Sequence, residues 1–305
     1  MSAKSEELDH ERPNPARRGL KKGLYLIPSA FTAANIAMGF LSVMSSLRGF
    51  QLLGGANPDV WAASAHFNTA AIAIGFALLF DMVDGRIARL TKTTTEIGIQ
   101  LDSIADVVTF GLAPAVLAYV WGYGITLGKG EELHQLAWFV SFIYLMCGAF
   151  RLARFNVQAS RPRVMAEGAV KTDKKSFVGL PIPVAGGFIA ALVHFSPLPL
   201  IYFGPERARI YAVLLMVLVG MLSLMMVSTL RFSSFKTVGT NTRSMRPIIL
   251  ALALLVLVFL YSKYVLLAIV VMYILHGLLS RVVGVFWRRS DSAETKIEPN
   301  PVRRS

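Results

Sequence analysis

Residues Phe80–Asp106 read FDMVDGRIARLTKTTTEIGIQLDSIAD, and four aspartates in this stretch border strongly apolar segments. They are Asp81, Asp84, Asp102 and Asp106. An ionised carboxylate is costly beside a membrane or a dry core unless a partner neutralises it. The stretch therefore predicts that these carboxylates are paired, either with basic side chains or with bound cations.

The composition of the whole chain is that of an integral membrane protein. Of its 305 residues, 54% are hydrophobic and only 16% are charged, whereas soluble proteins carry about 25% charged residues. The basic residues behind the net charge of +13 lie in short clusters between apolar runs. This distribution suits lipid head groups and orientation signals better than nucleic acid, so no nucleic-acid partner is expected.

The apolar runs predict an all-α, polytopic membrane fold, because only helices or closed barrels satisfy the backbone in lipid. No strand pattern stands out. At about 20 residues per crossing, eight spans are expected, over residues 25–48, 67–90, 98–123, 134–156, 180–198, 208–230, 247–261 and 264–286. Only Ser262 and Lys263 separate the last two of these spans, which could form a tight hairpin or one long bent helix.

The loops between these spans predict the orientation of the chain. Most of the 31 Lys and Arg residues fall on the side that holds both termini and the aspartate-rich loop, which the positive-inside rule places in the cytoplasm. We expect a protein of the bacterial cytoplasmic membrane with its active site facing the cytoplasm. The predicted organisation is a tail over 1–24, a membrane core over 25–230, a transmembrane hairpin over 231–286 and a tail over 287–305.

The spacing of the four aspartates predicts a single cavity. Asp81 and Asp84 are three residues apart near the end of the second span, and Asp102 and Asp106 are four apart at the start of the third. Each spacing places a pair on one helix face. Two neighbouring antiparallel helices could therefore direct all four carboxylates into one cavity, and Gly85 would let a ligand approach the backbone closely.

Four unpaired carboxylates would repel one another, and hard divalent cations remove that conflict. Oxygen ligands suit Mg²⁺ or Mn²⁺, and two such ions can clamp phosphate oxygens during phosphoryl transfer. One alternative is that the aspartates cap helices or pair with Arg86, Arg89 and Lys92. Another is an ion or proton transporter, which predicts acids near mid-span rather than at span ends.

The spacing resembles the signature of the CDP-alcohol phosphatidyltransferases, which transfer a phosphatidyl or related group from a CDP-linked lipid to an alcohol and release CMP. The resemblance implies that the four aspartates hold two divalent metals and that Asp106 is also the general base. It implies a homodimer, too. Its fixed positions in this chain are Asp81, Asp84, Gly85, Ala88, Arg89, Gly98, Asp102 and Asp106, and the implied CDP-lipid contacts include Gly85, Ala88, Arg89 and Thr95.

Four further stretches resemble the phosphatidylserine synthase subgroup, which implies CDP-diacylglycerol and L-serine as substrates. They are PSAFTAANIAMGF (28–40), RLARFN (151–156), FVGLPIP (177–183) and VSTLRFSSFK (227–236). Within the first, Thr32 and Asn35 are implied to contact the CDP-lipid, while Ser29 departs from the usual Asn.

The acceptor alcohol depends on which cations lie near the aspartates. L-serine brings a carboxylate, and Arg151 and Arg154 lie three residues apart on one helix face at the cytoplasmic end of the fourth span. Either could bind that carboxylate, or both could be anchors that reach lipid phosphates. Glycerol 3-phosphate, inositol phosphate and choline stay open as acceptors. His194, inside an apolar span, is interpreted as a packed polar residue rather than a ligand.

Overall fold

The protein is described by a computed structural model that covers residues 15–91, 96–128, 130–160, 176–228, 231–233 and 261–275. This part is predominantly helical. Its α-helices are α1 (Pro15–Leu53), α2 (Val60–Thr91), α3 (Glu96–Asp106), α4 (Ala113–Ala118), α5 (Glu132–Ser160), α6 (Ile182–Phe195), α7 (Pro205–Val227) and α8 (Tyr261–Leu275).

Four helical segments are long and apolar enough to cross a membrane, and they overlap the predicted first, third, fourth and sixth spans. Two shorter apolar helices, α6 and α8, overlap the predicted fifth and eighth spans. The chain is therefore a helical membrane protein, while the count of eight spans and the cytoplasmic termini stay predictions. The four segments are Ala30–Leu53, Ile97–Tyr123, Glu132–Val157 and Pro205–Val227.

Two of the predicted boundaries fall inside helices of the structure. Helix α1 begins at Pro15, inside the predicted 1–24 tail, and proline is favourable at the first position of a helix. Ser262 and Lys263 lie within α8, so no break between spans falls at these two residues. The predicted seventh span, 247–261, lies outside the described residues except for its last position.

The core forms where α2 packs along α1 and α6. The face of α2 that is turned inward is rich in alanine, and small residues let membrane helices approach closely. Gly49 of α1 shows how close this approach is, because a Cβ atom there would lie 2.7 Å from the ring of Phe67. Phe67 itself is fully buried. Helix α5 packs in turn against α7.

The predicted third span is not one regular α-helix. A π-helical segment, Val107–Leu112, directly follows α3, and a second one, Tyr119–Tyr123, follows α4. Pro114 has no N–H to donate to the carbonyl of Phe110, four residues earlier. The Tyr144 hydroxyl of α5 donates to that carbonyl instead, at 3.1 Å. The irregular helix is thus supported from a neighbouring helix, and it starts one residue after Asp106.

A small antiparallel sheet accompanies the helices, although no strand pattern stands out in the sequence. Strand β1 (Ser176–Val178) pairs with β2 (Arg231–Ser233), with Phe177 opposite Phe232. The strands are three residues long, too short to show an alternating pattern. They lie in two of the stretches singled out by resemblance, 177–183 and 227–236, which the fold thus brings side by side.

Candidate active site

The end of α2 and the start of the third span bring three aspartates together. Carboxylate oxygens of Asp81, Asp102 and Asp106 all lie within 4.8 Å of one another. Asp106 is buried, and the other two are half-buried. Helical spacing accounts for this arrangement, since Asp102 and Asp106 are one turn apart on α3 and face the last turns of α2. We call these three residues, together with Asp84, the aspartate cluster.

Asp84 lies beside the other three and is held by α1. It is 4% exposed, and its Oδ2 accepts a hydrogen bond of 3.4 Å from the Thr32 hydroxyl. Its charge interacts with those of Asp81 and Asp102. The first span therefore contributes directly to the cluster, through one of the two residues that were predicted from its resemblance pattern.

Several buried polar atoms around the cluster lack a partner among the described residues. They are Oδ1 of Asp106 and both side-chain polar atoms of Asn35. Asn35 is fully buried, and its backbone carbonyl accepts a hydrogen bond of 3.1 Å from the Thr109 hydroxyl. Because nearly all buried polar groups in proteins have partners, these atoms indicate that a polar ligand or cation completes the site.

The donor set of the cluster fits a hard divalent cation. All of its ligand atoms are carboxylate oxygens, which Mg²⁺ and Mn²⁺ prefer, and three of them converge closely enough to share an ion. Oδ1 of Asp106, which has no hydrogen-bond partner among the described residues, is available as a ligand atom for such an ion. Acidic residues this close together repel one another without a cation, so the geometry agrees with the predicted metal site.

Helix α5 brings the predicted arginines to this end of the bundle. Arg151 is half-buried, its charge interacts with that of Asp106, and its Nε has no hydrogen-bond partner in the described part of the chain. Arg154 is also half-buried, and among the described residues no ion pair joins either arginine to the cluster. The interaction with the charge of Asp106 therefore distinguishes Arg151 as the better candidate of the two.

One polar contact at the site was missed by the sequence analysis. Asn156, at the end of α5, donates through Nδ2 to the Ser103 hydroxyl at 2.8 Å. Ser103 donates in turn to the carbonyl of Ile99 at 3.0 Å. This contact fixes the end of α5 to α3 next to Asp102. The signals in the sequence were the place of Ser103 one residue after that aspartate and the place of Asn156 at the end of the stretch RLARFN.

The structure describes only some of the remaining predicted site residues. Gly85 follows Asp84 in α2 and is half-buried. The side chains of Ala88 and Arg89 lie outside the described residues, and so does Thr95. Their predicted contacts with a CDP-lipid therefore stay predictions.

Comparison with known proteins decides the family. The family described as CDP-alcohol phosphatidyltransferase matches residues 25–204. The chain belongs to the CDP-alcohol phosphatidyltransferase family. This confirms the resemblance drawn from the aspartate spacing, and membership of a phosphotransferase family makes the chain an enzyme rather than an ion-coupled transporter. The matched region contains the whole aspartate cluster as well as Arg151.

This CDP-alcohol phosphatidyltransferase is similar to curated proteins named CDP-diacylglycerol–serine O-phosphatidyltransferase. The protein of that name from Helicobacter pylori strain 26695 is 31% identical over 273 residues, which cover 88% of this chain and 98% of the relative. The Saccharomyces cerevisiae protein is 37% identical over 164 residues, 53% of this chain and 51% of the relative. An archaetidylserine synthase from Methanothermobacter thermautotrophicus is 27% identical over 218 residues, 71% and 73% of the two chains.

Proposed function

We propose that this enzyme transfers the phosphatidyl group of CDP-diacylglycerol to the hydroxyl of L-serine and releases CMP. The observation that carries the chemistry is the convergence of three carboxylates, of which that of Asp106 has a buried oxygen with no hydrogen-bond partner among the described residues. The support for serine is the similarity, over most of both chains, to the Helicobacter pylori protein named for that acceptor.

Asp81, Asp84, Asp102 and Asp106 would hold divalent metal, Mg²⁺ or Mn²⁺, and we expect two ions. When bound, the metal neutralises the carboxylates and withdraws negative charge from the phosphate oxygens of the substrate. Thr32 keeps one oxygen of Asp84 in place through its hydrogen bond. The four side chains come from the ends of two helices, so a diphosphate can enter from the membrane surface while its acyl chains stay in the bilayer.

Asp106 is the proposed general base. Its carboxylate takes the proton of the serine hydroxyl, and the resulting oxygen attacks the lipid-side phosphorus of the diphosphate. A new serine O–P bond forms, the P–O bond to CMP breaks, and CMP leaves with the electron pair. The burial of Asp106 suits this role, because a base that is shielded from water is not solvated by competing donors.

The lipid nucleotide would be held by residues of α1 and α2. We propose that Gly85, with Ala88, permits close approach of the diphosphate to the backbone, and that the Arg89 guanidinium pairs with its oxygens. Thr95 is a further proposed contact. Asn35 and Thr32 are proposed contacts on α1, and the side-chain amide of Asn35, which has no partner in the part of the chain that the structure describes, supplies both a donor and an acceptor for a polar ligand.

Arg151 is the proposed partner of the serine carboxylate. Its charge interacts with that of Asp106, and its Nε has no hydrogen-bond partner among the described residues, so it could donate to the carboxylate while the serine hydroxyl reaches the base. Arg154 is kept as a second candidate on the same helix. A guanidinium binds a carboxylate with two parallel hydrogen bonds, which gives orientation as well as affinity.

The setting of the reaction follows from the distribution of charge. We propose that the site faces the cytoplasm at the surface of a bacterial cytoplasmic membrane, because the basic loops lie at the same end as the aspartates. A homodimer is expected from the family.

An arginine near the base would also suit glycerol 3-phosphate, so the same chemistry with another acceptor is the alternative.

An acceptor panel tests the proposal. Purified protein with CDP-diacylglycerol and Mn²⁺ or Mg²⁺ is supplied in turn with L-serine, glycerol 3-phosphate, inositol phosphate and choline, and released CMP is measured. We expect release with L-serine alone, matched by formation of phosphatidylserine. Release only with another alcohol would reject serine, and the absence of release with every alcohol would reject the transferase assignment.

A further inference from the structure

Helix α3 carries two of the four aspartates but contributes little to the core. It is 11 residues long, and an isolated helix of that length is only marginally stable in water. Within 97–106, only Ala105 and Asp106 are buried. The rotation of α3 about its axis, which decides where Asp102 and Asp106 point, must therefore be set by a few specific contacts with neighbouring helices.

Helix α5 supplies such a contact on each side of Asp106. Four residues after Asp106, the Phe110 carbonyl accepts a hydrogen bond of 3.1 Å from the Tyr144 hydroxyl. Three residues before it, the Ser103 hydroxyl accepts one of 2.8 Å from Nδ2 of Asn156. Helix α5 also packs along the π-helical segment that follows Asp106. The proposed base thus lies between two points at which α5 holds the third span.

The contact between Asn156 and Ser103 has a defined direction. The Ser103 hydroxyl has one hydrogen, which it donates to the Ile99 carbonyl at 3.0 Å, so its oxygen can only accept from the Asn156 amide. At about 100° per residue, Ser103 lies about 60° from Asp106 and about 100° from Asp102 around the helix axis. The bond therefore holds α3 directly beside the face that carries the aspartates.

We propose that Asn156 and Ser103 are positioning residues of the metal site, whose hydrogen bond fixes α3 so that Asp102 and Asp106 converge on Asp81. The three carboxylates approach within 4.8 Å of one another, and Mg²⁺ accepts its ligands only in near-octahedral geometry at about 2.0–2.1 Å. A small rotation of α3 would therefore weaken metal binding. The inference rests on the proposed function, since it presupposes metal at the cluster, and it gives α5 a part in shaping that site.

The test removes the hydroxyl of Ser103 and measures metal binding directly. Electron paramagnetic resonance follows free Mn²⁺ during titration of the full chain in detergent, without substrates. We expect Ser103→Ala to weaken Mn²⁺ binding about three- to tenfold, less than the loss of about tenfold or more for a group bonded directly to a metal ligand. Ser103→Thr keeps the hydroxyl and should stay within about twofold of the unmodified protein.

The matched control is Ser141→Ala. Ser141 lies on α5 and donates to the Ala137 carbonyl, one turn earlier, at 2.9 Å, which is the kind of bond that Ser103 makes to Ile99. It is 15 residues from Asn156, about 22 Å along the helix. We expect this variant to bind Mn²⁺ like the unmodified protein.

Asn156→Leu removes the same bond from the other side, so it tests the inference independently of how Ser103→Ala folds. It should weaken Mn²⁺ binding, and combining it with Ser103→Ala should weaken binding no further than the larger single effect. The circular dichroism of each variant reports whether it is folded.

Unchanged Mn²⁺ affinity in Ser103→Ala and Asn156→Leu would overturn the inference, even if both variants were less stable, because the contact would then be merely structural. Multiplying effects in the double variant would also overturn it, and so would an equal loss of affinity in Ser103→Thr or Ser141→Ala. Absence of Mn²⁺ binding by the unmodified protein would instead reject the proposed metal site, and the inference with it.

Discussion

The hydroxyl of Tyr144 offers a test of how the irregular third span is held. Tyr144 is fully buried, and its hydroxyl donates to the carbonyl of Phe110 at 3.1 Å. Pro114 cannot supply the helical donor for that carbonyl. Tyr144→Phe therefore removes a donor from a buried carbonyl while leaving the aromatic ring in place.

The size of the effect follows from the burial. The loss of one intramolecular hydrogen bond costs about 0.5–1.5 kcal/mol, and water has little access here to replace it because the backbone of Phe110 is covered by α6 at Gly186. We expect Tyr144→Phe to lower the free energy of unfolding by that amount. Turnover should fall as well, since the π-helical segment begins directly after Asp106 and sets the orientation of that residue.

Tyr123→Phe is the matched control. Tyr123 is also fully buried, but its hydroxyl makes no hydrogen bond of standard length and angle within the described part of the chain, and the Ser141 hydroxyl is only a polar neighbour. The neighbouring Ser141 donates to the carbonyl of Ala137 instead, at 2.9 Å. Removing the Tyr123 hydroxyl should change the free energy of unfolding by less than about 0.5 kcal/mol or stabilise the protein.

Both variants are compared by equilibrium unfolding in mixed detergent and dodecyl sulfate micelles, followed by circular dichroism. A thermal measurement can use the single cysteine, Cys147, which is half-buried and should react with a thiol-specific dye as the protein unfolds. Equal stabilities of Tyr144→Phe and Tyr123→Phe, within about 0.5 kcal/mol, would refute the account of the Phe110 carbonyl.

Three further predictions concern the base and the helix contacts. Asp106→Asn should abolish CMP release while leaving the free energy of unfolding unchanged or higher. Substantial residual turnover in this variant would show that Asp106 is not the base. Gly186→Ala should lower the stability of the fold, because its Cβ would lie 2.9 Å from the Phe110 carbonyl oxygen. Gly220→Ala, at a position with open space around it, should leave the stability unchanged. Equal losses of stability in the two variants would contradict the close packing at Gly186. Ser262→Ala should cost about 1 kcal/mol of stability through the lost bond between its hydroxyl and His194, and an unchanged unfolding curve would argue against that bond.

The aspartate cluster could be predicted because its information is local. The spacings 81 to 84 and 102 to 106 are helical repeats, and a short connection forces the two helices to be neighbours, so the residues had to converge. Most of the membrane-spanning helices could likewise be predicted, because each apolar run is a local feature of the sequence. Asn35, by contrast, was predicted from the resemblance pattern and not from its own chemistry. Its buried side chain has no partner among the described residues.

Other features depend on contacts between residues far apart in the chain. Pro114 could have suggested an irregular helix, but its outcome depends on the Tyr144 hydroxyl, which comes from α5. The strand pairing of 176–178 with 231–233 joins segments too short to be read singly.

Binding of Mn²⁺ to the aspartate cluster tests the central claim most directly. Electron paramagnetic resonance measures free Mn²⁺ during titration of the unmodified protein, of Asp102→Asn and of Glu132→Gln, an exposed acid on α5. The account predicts binding by the unmodified protein and by Glu132→Gln, and at least about tenfold weaker binding by Asp102→Asn, because one carboxylate of the cluster is lost. Equal affinity of all three proteins would contradict it.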